Sequence, residues 1–210
     1  RPGHQPHVRL RRIGTRRERA LRVGELLLAV GLSTELAQRF PHELSGGQRQ
    51  RALIAAALAA GPKVLIADEP TTALDVTVQA QVLALLRALV KERGLGLLVI
   101  THDLGVVAEL CDEVLVMYAG RIVESGPAAA LYDAPQHPYT RALLEARPDP
   151  YRRDRALTVL PGSVPAPGQI AAGCSFKERC ARSLERCATD RPELSAVAPH
   201  RVACHHPEGP

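Results

Sequence analysis

Two short apolar runs, each closing on acidic or polar residues, constrain this chain more than any other feature. Lys63 to Ala67 (KVLIA) runs into Asp68-Glu69-Pro70, and Leu95 to Thr101 (LGLLVIT) runs into His102-Asp103. Runs this short and this uniformly apolar predict strands buried on both faces, as in parallel sheets. Between them, Val76–Arg93 carries Val78, Val82, Leu85, Leu86 and Leu89 at helical spacing and stops at Gly94. Strand, helix and strand in that order predict an α/β layered domain with a mainly parallel sheet. Polar groups then gather at the carboxyl ends of both strands, where such sheets bind ligands.

Other elements fall around this unit. The spacing predicts an amphipathic helix over Thr15–Gly31, with Leu21, Leu26, Leu27 and Leu28 as its apolar face. A second helix is predicted from Ser45 through Arg49–Ala60, ended by Gly61-Pro62, and a third over Leu104–Leu110. Val114–Tyr118 and Arg121–Glu124 read as a hairpin turning at Ala119-Gly120. After Pro148 the composition shifts to a Pro/Gly linker, and four cysteines follow. The longest apolar run, Ala52 to Ala60, is nine residues, half of what a membrane span needs.

The net charge of +5 resembles a nucleic-acid signal until it is divided along the chain. Eight Arg and one acid, Glu18, between Arg1 and Arg22 give +7, which leaves 5 − 7 = −2 for everything after. The basic character belongs to one end. With 3% aromatic residues, base stacking is poorly supplied, so no nucleic-acid partner is expected.

Three local patterns carry chemistry. In Leu44-Ser45-Gly46-Gly47-Gln48, two glycines permit close backbone approach to an anion, and the following helix aims its N–H groups and dipole at it. Ser45 adds a hydroxyl donor and Gln48 an amide; a Gly-rich cap of an ordinary helix accounts for this segment equally well when it is taken alone. Asp68 and Glu69 follow a buried strand, where an Asp suits Mg²⁺ and the neighbouring Glu can polarise a water. His102 ends the next strand, placed to donate to a phosphate or orient that water. Asp75, seven residues past Asp68, stands at a helix start, where an acid is also simply a good cap.

Together these segments resemble the nucleotide-binding subunits of ABC transporters: LSGGQ (44–48), the Walker B strand VLIADE (64–69), the D-loop ALD (73–75) and the switch histidine in ITHD (100–103). The resemblance implies that Ser45, Gly46, Gly47 and Gln48 contact ATP held by an opposite subunit. It also implies Asp68 at the Mg²⁺ site, Glu69 as general base, His102 as γ-phosphate sensor and Asp75 in communication across a dimer. PHELSGGQRQR, IADEPTTALDVTVQAQ, ITHDLGVVAE, VMYAGRIVESG and HPYTRALL are similar to the ATPase subunits of bacterial di- and oligopeptide importers, whose relatives also serve nickel and glutathione uptake. The implied partners are a second ATPase subunit, two transmembrane permease subunits and, indirectly, a substrate-binding protein. The implied location is cytoplasmic, peripheral on the inner face of the membrane.

A phosphate-cradling loop G-x-x-x-x-G-K-[ST] is not present in the 210 residues. The three lysines follow Pro62, Val90 and Phe176, and none follows a glycine. The family's Q-loop and its adenine-stacking aromatic are also not found, since Gln5 lies in no such context. The sequence therefore resembles the C-terminal part of an ABC ATPase. The expected fold is the corresponding part of a RecA-like core with a helical signature subdomain. The motifs divide the chain into 1–62 (partial helical subdomain), 63–147 (C-terminal half of the ATPase core) and 148–210 (the importer-type tail).

Cys174, Cys180, Cys187 and Cys204 offer four thiolates in a tail too small to build a core alone, so folding around a metal is expected. On spacing, structural Zn²⁺ in a Cys₄ site and a four-iron–four-sulfur cluster both remain open, although the usual zinc C-x₂-C is lacking. The resemblance implies the cluster. His205 and His206 stand next to Cys204 as less favoured ligands, and Cys111 reads as a small buried hydrophobe.

Overall fold

The computed structural model describes residues 15–146, 160–166 and 172–208, which fall into two compact units divided between Leu110 and Cys111. Gln5, the first four arginines of the basic arm, and Pro167 and Gly168 of the linker lie outside the described residues. The division follows chain contacts and differs from the motif boundaries after 62 and 147.

In the first unit, helix α1 (Arg16–Ala29) starts where Thr15 and Glu18 form a capping box, each accepting the other's backbone N–H. Its buried residues are Leu26 and Leu27. Leu21 and Leu28, expected on the apolar face, are 62% and 63% exposed. Seven residues apart, they share one stripe of the helix, and that stripe is turned away from the core. Helix α2 (Gly46–Leu58) and helix α3 (Val76–Arg93) complete one apolar layer. The α3 bounds match the expected ones, and Gly94 adopts φ +60° to end it.

Strands β1 (Val64–Asp68) and β2 (Gly96–Ile100) pair in parallel, with Val64 opposite Gly96 and Asp68 opposite Ile100. The expected βαβ unit is therefore formed. The core holds Leu65 and Leu97 from the strands with Leu26, Leu27, Ile54, Leu58, Val82 and Leu86 from the helices. Burial on both strand faces does not hold: Val64, Ile66, Leu98 and Ile100 are 47–63% exposed. The described helices of this unit pack on the Leu65–Leu97 side, and the alternating residues therefore face solvent. Helix α4 (Leu104–Leu110) closes the unit.

The second unit begins with the expected hairpin, strands β3 (Glu113–Tyr118) and β4 (Arg121–Pro127), turned by Ala119 and Gly120 at φ +47° and +76°. Helices α5 (Ala128–Asp133) and α6 (Pro138–Glu145) follow. Beyond the linker come a short helix α7 (Arg186–Thr189) and a hairpin of strands β5 (Ser195–Val197) and β6 (His200–Val202). These last strands join the first hairpin in an antiparallel sheet of order β3-β4-β6-β5. Tyr118, Val123 and Phe176 centre its core, with Tyr139, Cys174 and Cys180 packed against them.

Candidate functional site

The signature segment is braced before it meets any ligand. Ser45 caps α2 by accepting the Gln48 N–H at 3.3 Å, and Gln48 Oε1 accepts the Ser45 N–H at 3.1 Å. The Ser45 hydroxyl, read from sequence as a donor, is thus an acceptor here with its own proton still to give. Gln48 turns its amide oxygen inward, leaving its NH₂ for other partners. Arg49 ties the preceding turn by donating to the carbonyls of Pro41 and Leu44. The glycines serve packing as well as access. A Cβ on Gly46 would meet Leu74 at 3.3 Å, and one on Gly47 would stand 2.5 Å from Val78 Cγ1. The start of α2 therefore sits directly on the segment that begins α3.

The acidic end of β1 is built around Glu69. It takes φ +46°, an uncommon conformation for a side-chain-bearing residue, while its N–H donates to the Ile100 carbonyl at the end of β2. Its two carboxylate oxygens are both engaged, one accepting the Thr72 hydroxyl at 2.7 Å and the other 2.7 Å from His102 Nδ1. The Thr72 bond first and the His102 bond second hold the Glu69 carboxyl below its ordinary range. Glu69 is consequently ionised at neutral pH. His102 has an 81% exposed side chain, so its second ring nitrogen is open to solvent or ligand. Asp68 is exposed at the strand end beside them.

Asp75 caps α3 by accepting the Val78 N–H at 2.9 Å. The first turn of that helix then reaches both parts of the site. Val78 contacts the signature glycine, and Gln79 Nε2 donates to Asp103 Oδ2 at 3.0 Å. Asp103 also accepts the Gly105 N–H, which fixes the turn that carries His102. The fold thus brings Glu69 and His102 into direct contact, and it links them to Ser45–Gln48 through α3 and not by a bond. Thr72, Gln79 and Asp103 were not singled out from sequence. Their signal was position only: a hydroxyl three residues after Glu69, an amide one turn after Asp75, and a carboxylate next to His102.

The cysteines of the second unit converge. Cys174, Cys180, Cys187 and Cys204 line one cavity, along with His137 and Phe176. The Cys174 N–H donates to the Cys187 carbonyl at 2.8 Å, and a Cβ on the preceding Gly173 would fall 2.3 Å from that same oxygen. Only glycine, here at φ +89°, lets the chain at 173–174 approach helix α7 this closely. Burial first, and then the neighbouring thiols, push the Cys174, Cys180 and Cys204 thiols up, although hydrogen bonds from backbone N–H groups oppose the rise. Cys111 is only half-buried, with its thiol likewise raised by burial. His205, expected as a less favoured ligand, has its Nε2 at 2.9 Å from the Asp190 carbonyl. The His206 N–H meets Cys204 Sγ at 3.4 Å. Among the described residues, no group of three or more His, Cys, Asp or Glu is arranged to hold a metal ion, and no helix is long and apolar enough to cross a membrane.

A second Glu–His pair stands on the paired strands β4 and β6. Glu124, fully buried, accepts the Gln136 and His137 N–H groups at 2.7 and 2.9 Å. His200 Nδ1 comes within 3.0 Å of Glu124 Oε1 without the alignment of a hydrogen bond.

Known proteins with these features can now be set beside the chain. The ABC transporter family model matches residues 2–72, and the model for the oligopeptide/dipeptide transporter C-terminal region matches residues 123–187. A peptide import ATP-binding protein of Brucella ovis is 49% identical over 201 residues, covering 92% of this chain and 60% of its own length. A peptide ABC transporter ATP-binding protein of Sinorhizobium fredii is 54% identical over 167 residues, covering 79% of this chain and 50% of its own. The chain thus spans 50–60% of these relatives. Among solved structures, cbiO1 of Clostridium perfringens, part of the ABC transporter complex cbiONQ, aligns with a TM-score of 0.54 at 35% identity, over 59% of this chain and 49% of that one. The ATP-binding cassette MJ0796, dimeric and bound to ADP and Pi, aligns with a TM-score of 0.50 at 34% identity, over 56% of this chain and 50% of that one. The mixed α/β fold is therefore a partial RecA-like ABC ATPase fold, and the chain belongs to the ATP-binding proteins of ABC transporters, in the branch that carries the oligopeptide/dipeptide transporter C-terminal region.

Proposed function

We propose that the chain is the signature-bearing part of an ATP-hydrolysing subunit that energises import of di- or oligopeptides. The observation that carries this reading is the 2.7 Å contact of His102 Nδ1 with Glu69 Oε1 at the carboxyl ends of two parallel strands, beside Asp68. In this reading Asp68 holds Mg²⁺, directly or through water. Glu69, kept ionised, accepts a proton from the attacking water, and His102 presents its exposed ring to the γ-phosphate. Exposed Asp68 suits a hydrated Mg²⁺, which keeps several waters in such sites. Gly46 and Gly47 meet the ATP of an opposite subunit with their N–H groups, as a helix N-terminus does for anions, while Ser45 and Gln48 meet it with the hydroxyl proton and side-chain NH₂ that their capping box leaves over. Asp75 passes the state of one site to the other through α3. Partners would be a second ATPase subunit, two permease subunits and a substrate-binding protein, with the chain peripheral on the inner membrane face. The dimeric cassette among the structural relatives and the peptide-import names of the sequence relatives support this assignment.

The four cysteines would hold a four-iron–four-sulfur cluster, with Zn²⁺ as the alternative. The donor set fits either group, since four thiols and no carboxylate line one cavity. Bound metal would supply the cross-link that a tail this short lacks.

A second reading rests on the lysines: with Lys63, Lys91 and Lys177 each following a residue other than glycine, these 210 residues act as a non-catalytic partner-binding module. One experiment separates the two. Mg-ATP binding to the chain is measured alone and with a subunit that carries a phosphate-binding loop. ATP-dependent association, lost in Ser45→Arg, supports the signature role. In a longer form with its own phosphate-binding loop, Glu69→Gln is expected to bind ATP and nearly cease turnover. Retained turnover there removes Glu69 from the role of base.

A further inference from the structure

His137 has been given no role so far, yet it is among the most buried side chains of the second unit, at 1% exposure. Its place is fixed from three directions. Its backbone N–H donates to Glu124 Oε2, its ring packs 5.8 Å from that of Phe176, and its Nδ1 accepts the Tyr139 N–H at 3.0 Å, capping α6. A ring nitrogen that accepts carries no proton, so the proton of the neutral ring sits on Nε2. Burial pushes the His137 imidazole down to about 4, which keeps the ring neutral and this tautomer in place at physiological pH. With Nδ1 committed to the Tyr139 N–H, the ring lines the cavity onto which the four cysteines open. The His-Pro-Tyr run and the cysteine tail, 37 positions apart at His137 and Cys174, are in this way parts of one constellation.

We infer that His137 is a positioning residue of the four-cysteine site, whose Nε2–H is the donor reserved for sulfur once the thiolates hold a metal. This rests on the four-cysteine reading proposed above. Hydrogen bonds to ligating sulfur withdraw charge from it, tuning a cluster's potential or a single ion's affinity, and such outer partners are worth roughly 10- to 100-fold in metal retention. His137 is suited to the task because its other nitrogen is already committed. Rotation of the ring would forfeit the α6 cap.

The probe is Co²⁺, titrated anaerobically into the full chain, with the thiolate-to-cobalt charge-transfer band and chelator competition as readouts. Two variants divide the functions of the ring. His137→Asn keeps a capping oxygen for the Tyr139 N–H but loses the distal donor; His137→Gln keeps a donor at the distal position but loses the cap. The expected result is that the Asn variant shifts the band to lower energy and releases Co²⁺ roughly 10- to 100-fold more readily, while the Gln variant keeps the wild-type band. Identical bands and retention in all three proteins overturn the inference and leave the four-cysteine reading standing. A wild-type chain that gives no charge-transfer band overturns both. If the Asn variant fails to fold, the Gln variant decides: a band displaced from wild type despite its retained donor counts against the inference.

Discussion

The two units of this chain each contain a glutamate facing a histidine Nδ1, and they use the pair in opposite ways. In the first unit the Glu69–His102 contact is 2.7 Å and its side chains are 37% and 81% exposed. In the second the Glu124–His200 approach is 3.0 Å and the side chains are 0% and 2% exposed. The exposed pair keeps unspent bonding capacity: His102 has a second ring nitrogen in solvent, and Asp68 stands beside it. In the buried pair two backbone amides already occupy the Glu124 carboxylate, and His200 Nδ1 is sealed from solvent without a hydrogen bond. The same two residue types thus make a place for a ligand where they are open, and a strut where they are closed.

The largest expected effect breaks the strut. Glu124→Ala leaves the Gln136 and His137 N–H groups buried without an acceptor and removes the carboxyl group facing His200. The loss is expected to be about 2–6 kcal/mol, since each buried donor left without an acceptor costs about 1–3 kcal/mol. Urea unfolding measures it, and amide exchange should localise it to residues after Cys111. Glu69→Ala, made at the exposed pair, is expected to move the unfolding midpoint far less. Equal losses at the two sites would erase the contrast.

Acidity sharpens it further. His137 titrates near 4 in the fold against 6.5 when free. Between those values the unfolded chain binds the extra proton, so the stability this burial allows is intact above about pH 6.5 and declines as pH falls towards 4. The full swing is roughly 3 kcal/mol, because each tenfold change in proton affinity corresponds to about 1.4 kcal/mol. Unfolding followed across pH 4–7 should show this slope in wild type and a weaker one in His137→Gln. Glu69 acts in a lower window. Its carboxyl is held below 4.5, chiefly by Thr72 and then by His102, so its contribution is present above that value and disappears only in stronger acid.

How much of this was legible in the sequence depends on how local the cause is. The bounds of α3, the parallel pairing of β1 and β2, and the turn at Ala119-Gly120 followed from periodicity, apolar runs and glycine placement, which act over a few residues. Glu69, His102 and Asp75 were found because each sits at an element's end. The exposure of Ile66 and Leu98 was not legible, since an apolar run states what a strand needs and not what covers it. Nor was Glu124, which reads as an ordinary polar residue in a hairpin until α6 and β6 are folded onto it. The strands at 195–202 were missed because three residues carry too little alternation to register, and pairing with β4 decides them. His137 stood in a recognised motif, but its relation to the cysteines is a tertiary fact.

The first unit's own contacts are tested next by Gly47→Ala. The added methyl meets Val78 Cγ1 at 2.5 Å, and a β-branched neighbour on a helix has little room to rotate away. A cost of about 1–3 kcal/mol is expected, as for other overpacked contacts. If it is found, the substitution should also loosen the first turn of α3, seen as faster amide exchange at Val78 and Gln79. A neutral result would mean that α2 shifts freely over α3, contrary to the close packing that ties the signature to Asp75.

The smallest effect on stability is the most informative about function, because it separates capping from ligand contact at one atom. Ser45→Ala removes the oxygen that accepts the Gln48 N–H and is expected to cost about 1 kcal/mol, the usual value of an N-cap. Ser45→Asp should recover that loss, since aspartate caps as well as serine and its charge suits the positive end of a helix. If Ser45 only caps, the Asp variant therefore behaves as wild type in every assay. If the segment also receives the phosphates of a neighbouring subunit's ATP, the same carboxylate repels them, so the Asp variant is as stable as wild type yet loses ATP-dependent association with a loop-bearing subunit. Thermal melts and association assays on the three proteins resolve the alternatives. Restored stability together with restored association would confine Ser45 to the helix it begins.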